Sequence, residues 1–403
     1  MNIRTTLKEK LTDISQVVQE KYSEEKDIGV LAGISGCAMF QFYYAQYLNS
    51  EKQMDLGLEM ISLCIDKMNK GYTYSTYCSG IAGMGWTVQH LAAEGFIEVD
   101  CDDFLAPFDE YLFTCMKSSL LKGDYDFLHG AIGYGFYFFK RYKHTQDEKL
   151  KKRYRTYLTK LILQLDSISI VNDDMRKWQS ILYAKNNAKV YNLGLSHGMS
   201  SILNFLTRVS AIDEVSDSSI KMVEGILNYL QEQKNPDDCG LSVFPNWVEP
   251  GHPVEYNGRI AWCYGDLGIG ISLLQTAKER QDMTLEKYAT QILLQTSERK
   301  EPNETKVVDA GICHGSFGNA LIYNKLHKLH HSHHFKSSAA FWIKDGIEKA
   351  CHANGYAGYM QWDGDKLGWN TKLSLLDGVA GIGLAIMDYL SEKQNNWDEC
   401  LML

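Results

Sequence analysis

The amino-acid sequence predicts an all-α fold, specifically an α/α toroid of seven inner and seven outer helices built from seven glycine-rich repeats. A small-residue signature followed by an apolar run recurs seven times along the chain. The segments between the signatures show apolar residues at three- and four-residue steps, whereas strand alternation is scarce. Repeated helix pairs that share a buried face stack as an open solenoid or as a closed ring, and we favour the ring.

The repeat register is defined by the first glycine of each signature. These glycines are separated by 47, 50, 68, 67, 50 and 63 residues, and each interval has room for two helices. The surplus in the longer intervals, at most about 20 residues, fits long loops such as residues 235–258 rather than a separate domain. We therefore expect one domain over residues 1–403. The seven glycines are Gly33, Gly80, Gly130, Gly198, Gly265, Gly315 and Gly378.

Composition restricts the class of partner and the location. The chain has a net charge of −9 and no dense Lys/Arg stripe, which disfavours nucleic acid and anionic membranes as partners. The N-terminus lacks an apolar core like that of a signal peptide, and no stretch of 18 uncharged apolar residues follows, so we expect no transmembrane segment. Ten scattered cysteines then fit a cytoplasmic protein with reduced thiols.

Four candidate metal or proton-transfer residues recur at the same place in the repeat. Cys263 and Cys313 lie two positions before their glycines, and His197 and His314 lie one position before theirs. In a closed ring these side chains would gather at one mouth of the lumen. Two thiolates and one imidazole form a catalytic zinc set with an open fourth position, and thiolates select zinc over harder metals. We predict one zinc ion held by Cys263, Cys313 and His314.

Other features of the sequence have simpler interpretations. Two cysteines 50 residues apart are, outside the repeat register, more typical of inert buried thiols. Cys78 occupies the same position in the second copy, but we expect it to pack in the core. The histidine-rich run at residues 327–334 is expected to be a solvated outer loop.

Two further residues are candidates for proton transfer. His197 could be a fourth zinc ligand, a core histidine or a proton-transfer group, and we favour proton transfer. Asp126 lies four residues before its glycine, where it could orient a histidine, relay a proton or cap a helix.

Arg259, Trp262 and Tyr264 surround Cys263 in the sequence. An arginine there could bind a developing oxyanion, or it could form only a surface ion pair.

The motifs taken together resemble those of the lanthionine synthetase C-like family and of its stand-alone lantibiotic cyclases. They are S-H-G at 196–198, W-C-Y-G at 262–265, C-H-G at 313–315 and D-F-L-x-G at 126–130. Because they lie within the sevenfold glycine-rich repeat, the resemblance covers nearly the whole chain. The resemblance implies an α/α toroid in which zinc is bound by Cys263, Cys313 and His314. It also implies acid–base roles for His197 and Asp126 and a site lined by Arg259 and Tyr264. One departure is Ser201, which replaces the second glycine of its copy.

The resemblance further implies a cyclase that adds cysteine thiols to dehydroalanine or dehydrobutyrine of a dehydrated ribosomal precursor peptide. A separate dehydratase and an exporter are its expected partners, at the periphery of a membrane-associated biosynthetic complex. Two alternatives stay open, namely another zinc-thiolate enzyme that alkylates peptide or glutathione sulfur, and a non-catalytic peptide-binding scaffold of the same fold. A sugar-processing toroid is disfavoured because only Asp126 and Asp377 lie near the mouth.

Overall fold

The computed structural model describes residues 2–181, 189–393 and 395–403, and within them the regular secondary structure is almost entirely helical. Six strands of two or three residues form three antiparallel pairs. The helices are α1 Ile3–Lys21, α2 Ile34–Leu48, α3 Glu51–Asn69, α4 Ile81–Ala93, α5 Cys101–Leu121, α6 Ala131–His144, α7 Glu148–Ile168, α8 Met199–Val209, α9 Ser216–Glu232, α10 Asp266–Arg280, α11 Met283–Glu298, α12 Pro302–Thr305, α13 Ser316–His330, α14 His333–Glu348 and α15 Val379–Leu390. The strands are β1 Ile170–Asn172, β2 Met175–Lys177, β3 Tyr191–Asn192, β4 Trp247–Val248, β5 Gln361–Trp362 and β6 Trp369–Asn370.

The seven repeat glycines each cap the N-terminus of a helix, as the register predicts. The helices that follow them are α2, α4, α6, α8, α10, α13 and α15. These helices are buried on all sides; in α4, for example, every residue of 81–91 is buried. The other long helices bury a single face, as α11 does with Ala289, Ile292, Leu293 and Thr296. The two kinds of helix correspond to the predicted inner and outer sets.

Close backbone approach explains why glycine recurs at the start of the inner helices. A Cβ atom on Gly318 would lie 1.9 Å from the carbonyl oxygen of Ile312, a distance that no side chain tolerates. Gly265 has a φ angle of +79°, which also favours glycine. Ser201 is fully buried at the position of a second glycine, and its hydroxyl donates to the Gly198 carbonyl at 2.8 Å.

The chain divides into two compact units. The first comprises Met1–Glu98 and Val307–Leu401, and in it α2 packs on α3 and α13 packs on α14. The N-terminal helix α1 packs on α15, the last inner helix, and Arg4 donates a hydrogen bond to the Leu390 carbonyl at 2.9 Å. The first helix of the chain thus supplies the outer partner of the last repeat.

The second unit comprises Val99–Lys306 and Met402–Leu403. Here α6 packs on α7, α8 on α9 and α10 on α11, so each inner helix is followed by its outer partner. The prediction of a single domain over the whole chain stays a prediction.

The long intervals between repeats contain the short strands as well as loops. Strands β1 and β2 pair within the interval after α7, and β5 and β6 pair within the interval after α14. Strands β3 and β4 pair residues 191–192 with residues 247–248. Most of the surplus residues are therefore surface excursions, as expected from their spacing.

The expectation for the histidine-rich run was wrong. Helix α13 continues through His330, and α14 begins at His333, so only His331 and Ser332 connect them. His331 takes the left-handed conformation with φ of 51°, which turns the chain within two residues. The run is solvated at His331, His333 and His334, but it is not a loop.

Candidate metal centre

Main-chain hydrogen bonds align the position two residues before each repeat glycine, here called the cysteine position. In the first unit, the N–H of Cys313 donates to the Leu376 carbonyl at 2.9 Å, and the N–H of Leu376 donates to the Leu31 carbonyl at 2.8 Å. The N–H of Leu31 in turn donates to the Cys78 carbonyl at 3.0 Å. Each bond joins the cysteine position of one copy to that of the next. The repeat register seen in the sequence therefore corresponds here to a row of main-chain hydrogen bonds between successive copies.

Cys313 and His314 occupy a tight turn that is organised by Asp309. The Asp309 Oδ1 atom accepts a hydrogen bond from the Gly311 N–H at 3.0 Å, which is an Asx turn. The Asp309 Oδ2 atom accepts the Trp362 N–H at 3.2 Å and lies 3.3 Å from His314 Nε2. With its Nε2 atom turned toward a carboxylate, His314 could bind a metal through Nδ1.

The electrostatics of this turn favour an ionised Asp309. Burial raises the pKa of this carboxyl, but the hydrogen bond and charge of His314 and the two backbone N–H groups outweigh it, so the pKa lies below its ordinary value. Asp309 is only 2% exposed, so its negative charge acts on His314 with little screening by water.

Cys263 is held by the turn before α10 in the second unit. Its carbonyl oxygen accepts hydrogen bonds from the Ser196 N–H and hydroxyl, both at 3.3 Å. Gly194 approaches so closely that a Cβ there would lie 2.4 Å from the same oxygen. The Ser196 N–H bond repeats the link between cysteine positions seen in the first unit. It is made to the main chain of Cys263 and not to its side chain.

The residues predicted to bind zinc form a metal-compatible group. The ligand atoms of Cys263, Cys313 and His314 all lie within 4.8 Å of one another. Among the described residues, these three are the Cys, His or acidic side chains that lie close enough together to hold a metal ion. Cys78 is buried and lies outside the group. His197 is also outside it, which disfavours its alternative role as a fourth ligand.

His197 and Asp126 form a hydrogen-bonded pair. The Nδ1–H of His197 donates to Asp126 Oδ2 at 2.5 Å, and Asp126 Oδ1 accepts the His129 N–H at 2.8 Å. Burial lowers the pKa of His197, but the hydrogen bond and charge of Asp126, with Cys263 and Asp124, raise it above its ordinary value. The helix-cap alternative for Asp126 was wrong, because Gly130 is the N-cap of α6. The carboxylate orients the histidine instead.

Aromatic and polar side chains surround Tyr264 and His197. The Tyr264 ring centroid lies 6.2 Å from that of His197 and 6.2 Å from that of Trp247. The Tyr264 hydroxyl accepts a hydrogen bond from Asn192 Nδ2 at 3.2 Å. Arg259 is half-buried, and its side chain forms no hydrogen bond or ion pair with any residue that the structure describes. The surface ion pair considered for Arg259 is therefore not present there.

The comparisons with known proteins identify the family and agree with the helical fold. A family model described as "Lanthionine synthetase C-like protein" matches residues 24–402. The chain belongs to the lanthionine synthetase C-like family.

Two solved structures resemble the chain. A nisin cyclase matches with a TM-score of 0.75 and 16% identity, covering 97% of this chain and 96% of that one. A sugar epimerase from a ruminal bacterium matches with a TM-score of 0.46 and 9% identity, covering 96% of this chain and 100% of that one, and this weaker likeness supports no conclusion. The likeness to the nisin cyclase confirms the predicted fold class, an all-α helical toroid.

A search of the described helices for one that is both long enough and apolar enough to cross a membrane finds none.

Three residues near the candidate site were missed by sequence reasoning. Asp309 contacts His314, whereas Asn192 and Trp247 both contact Tyr264. Asp309 and Asn192 share a local signal, because each lies two residues before a glycine whose N–H its side chain accepts. Trp247 has no such signal, since it reaches Tyr264 through the pairing of β4 with β3.

Proposed function

We propose that this protein is a zinc-dependent cyclase that joins cysteine thiols of a peptide to its dehydroalanine or dehydrobutyrine residues and so forms lanthionine or methyllanthionine rings. The observation that supports this most is the grouping of the Cys263, Cys313 and His314 ligand atoms within 4.8 Å, in a chain of the lanthionine synthetase C-like family. The nature of the reaction follows from the chemistry of these three side chains and their neighbours.

The donor set fits zinc. Two sulfur ligands and one nitrogen ligand are a set found in catalytic zinc sites, where a fourth position takes water or substrate. Thiolates favour zinc over magnesium or calcium, which prefer oxygen. When bound, zinc would lower the pKa of a substrate thiol and hold it as a nucleophilic thiolate.

The reaction is an addition in which nothing is oxidised or lost. The substrate sulfur forms a bond to the β-carbon of the dehydro residue, the carbon–carbon double bond becomes single, and the α-carbon takes a proton. The thiol loses one proton and the α-carbon gains one, so the number of protons is unchanged. The protein must therefore remove one proton and supply one.

His197 is the group we assign to this proton transfer. Its Nδ1–H is engaged by Asp126 at 2.5 Å, so its Nε2 atom is the nitrogen left to exchange a proton with substrate. The His197 side chain is 20% exposed, which leaves it accessible, whereas Asp126 is 7% exposed and acts through the histidine. The half-buried Arg259 and the Tyr264 ring would lie beside the developing enolate oxygen and bind its charge.

The substrate we propose is a dehydrated ribosomal precursor peptide. Its dehydro residues would be made by a separate dehydratase, and its cyclised product would pass to an exporter. The reaction would take place in the cytoplasm, at the periphery of a membrane-associated complex.

The test compares two cysteines at the same repeat position. Cys313→Ala removes a proposed ligand, while Cys78→Ala removes a buried cysteine outside the group and serves as the matched control. Zinc content is measured on the purified proteins. Each is then incubated with a dehydrated, cysteine-containing peptide, and free peptide thiols are counted by the mass added on alkylation.

We expect Cys313→Ala to lose both zinc and thiol consumption, and Cys78→Ala to keep both. Unchanged thiol consumption in Cys313→Ala would overturn the mechanism. A wild-type protein that binds zinc and peptide but consumes no thiol would instead be the non-catalytic scaffold.

A further inference from the structure

We infer that Asp309 is a positioning residue that fixes His314 in the tautomer able to bind zinc, an inference that rests on the proposed zinc site. Asp309 touches no substrate and is not one of the three proposed ligands. Its effect would pass through the His314 ring, which it contacts in the same unit of the structure.

The hydrogen-bond geometry around Asp309 points to this role. Its Oδ1 atom accepts the Gly311 N–H at 3.0 Å, and its Oδ2 atom accepts the Trp362 N–H at 3.2 Å with His314 Nε2 at 3.3 Å. A carboxylate surrounded by donors in this way requires the His314 proton on Nε2. The lone pair then lies on Nδ1, and the ring presents that atom to a metal. Metal-binding histidines commonly donate their other N–H to a carboxylate, which fixes the ring and strengthens the ligand.

The Asx turn alone does not require an aspartate at this position. Asn192 lies six residues before Gly198, as Asp309 does before Gly315, and its Oδ1 atom accepts the Gly194 N–H at 2.8 Å. Asparagine therefore makes the same turn elsewhere in this chain. The second carboxylate oxygen of Asp309 has a different task, since it faces both the Trp362 N–H and His314.

Strand β5 reinforces the arrangement from outside the repeat. The Trp362 N–H belongs to the β5–β6 pair, in which Trp362 lies opposite Trp369. Their ring centroids are 5.3 Å apart. The hairpin thus holds Asp309 Oδ2, while the Asx turn holds Oδ1. An aspartate that only shaped the turn would need no such contact.

The decisive variant is Asp309→Asn. Asparagine keeps an oxygen for the Gly311 N–H, but it then turns an NH2 group toward His314 Nε2. The favoured His314 tautomer becomes the one protonated on Nδ1, which cannot bind a metal through that nitrogen. The loss of a carboxylate partner of this kind typically weakens metal binding 10- to 100-fold, roughly the loss we expect.

Zinc affinity is measured by competition with a chromophoric chelator, and the visible absorption of the cobalt-substituted protein reports the ligand set. Asp124→Asn is the matched control. Asp124 lies six residues before Gly130, and its Oδ1 atom accepts the Asp126 N–H at 3.2 Å, but it contacts no proposed ligand. We expect Asp309→Asn to stay folded but to melt at a modestly lower temperature, because the Trp362 N–H loses its acceptor. It should bind zinc 10- to 100-fold more weakly and show altered cobalt absorption. Asp124→Asn should match the wild type in all three measurements.

The outcomes separate this inference from the proposed function. If the wild type binds zinc and Asp309→Asn binds it within twofold as tightly, the positioning role is overturned while the zinc site stands. Equal weakening in Asp124→Asn would assign the effect to the loss of a carboxylate charge in general and would also overturn it. A wild-type protein that takes up no zinc would overturn both proposals.

Discussion

Replacing Asp126 by asparagine should disable proton transfer without removing the metal. Asp126 uses both carboxylate oxygens, one for the His129 N–H at 2.8 Å and one for the His197 Nδ1–H at 2.5 Å. In Asp126→Asn, an oxygen that stays on the His129 N–H leaves an NH2 group facing His197. His197 must then accept at Nδ1 and carry its proton on Nε2. The nitrogen available to substrate loses its lone pair.

The magnitude of the effect follows from what Asp126 supplies. The hydrogen bond and charge of Asp126 are the largest contributions that raise the pKa of His197 against burial, so the pKa should fall in the variant. A positioned acid–base group contributes about 10²- to 10⁴-fold to a rate, equivalent to roughly 3 to 5 kcal/mol of transition-state stabilisation. If the asparagine oxygen turned to His197 instead, the His129 N–H would lose its partner, at a cost of about 1–3 kcal/mol in stability.

The assay is the initial rate of peptide-thiol loss as a function of pH, with zinc content and thermal melting measured on the same samples. We expect wild-type zinc content, a rate lower by about 10²- to 10⁴-fold, and a pH profile whose His197 limb moves to lower pH. Asp124→Asn removes a negative charge that also acts on His197 but no hydrogen bond to it, so we expect it to move the same limb to a smaller extent and to leave the rate near that of the wild type. An Asp126→Asn variant that kept full zinc and reacted within threefold of the wild type at every pH would refute the reasoning.

Two further predictions concern stability. Burial and the nearby Asp398 raise the pKa of Asp388 to about 6 from 3.8. A carboxyl whose folded pKa is raised favours folding below its unfolded pKa and loses that benefit as pH rises through its folded pKa. Asp388→Asn should therefore be more stable than wild type by about 2–3 kcal/mol at pH 8 in urea unfolding, and the difference should vanish near pH 4; a difference independent of pH would contradict this. Gly318→Ala places a Cβ 1.9 Å from the Ile312 carbonyl oxygen and should cost about 3 kcal/mol or more of unfolding free energy. Ser201→Ala, at the same repeat position, should cost about 1 kcal/mol, and equal losses in the two variants would show that the close approach is not decisive.

The inner helices could be located from the sequence because the requirement for glycine is local. Gly265 and Gly318 are demanded by a φ angle and by a backbone contact six residues away. The packing of α1 on α15 joins the two ends of the chain, and no local sequence pattern predicts it. The histidine-rich run was wrongly predicted to be a loop because its composition suggested exposure to solvent. Exposure alone does not distinguish a loop from the end of a helix.

The residues of the candidate site also divide into those that the sequence could predict and those that needed the structure. Cys263, Cys313 and His314 followed from the register, because the cysteine position is fixed by the repeat itself. The pairing of His197 with Asp126 was one of several possibilities in sequence and needed the distance between copies three and four. Asp309 was missed because the residue six places before the repeat glycine is an aspartate in only three of the seven copies. Its role depends on Trp362, which lies in a distant hairpin.

In the first unit, the hydrogen bonds between cysteine positions use only main-chain atoms, and Cys313, Leu376 and Leu31 all donate one. A side chain at this position can therefore change without loss of the bond that holds the turn. Natural variation or protein design could then install, move or delete a metal ligand at little cost to folding. The position recurs in all seven copies of the sequence repeat, and in two of them it holds the cysteines that we propose bind zinc.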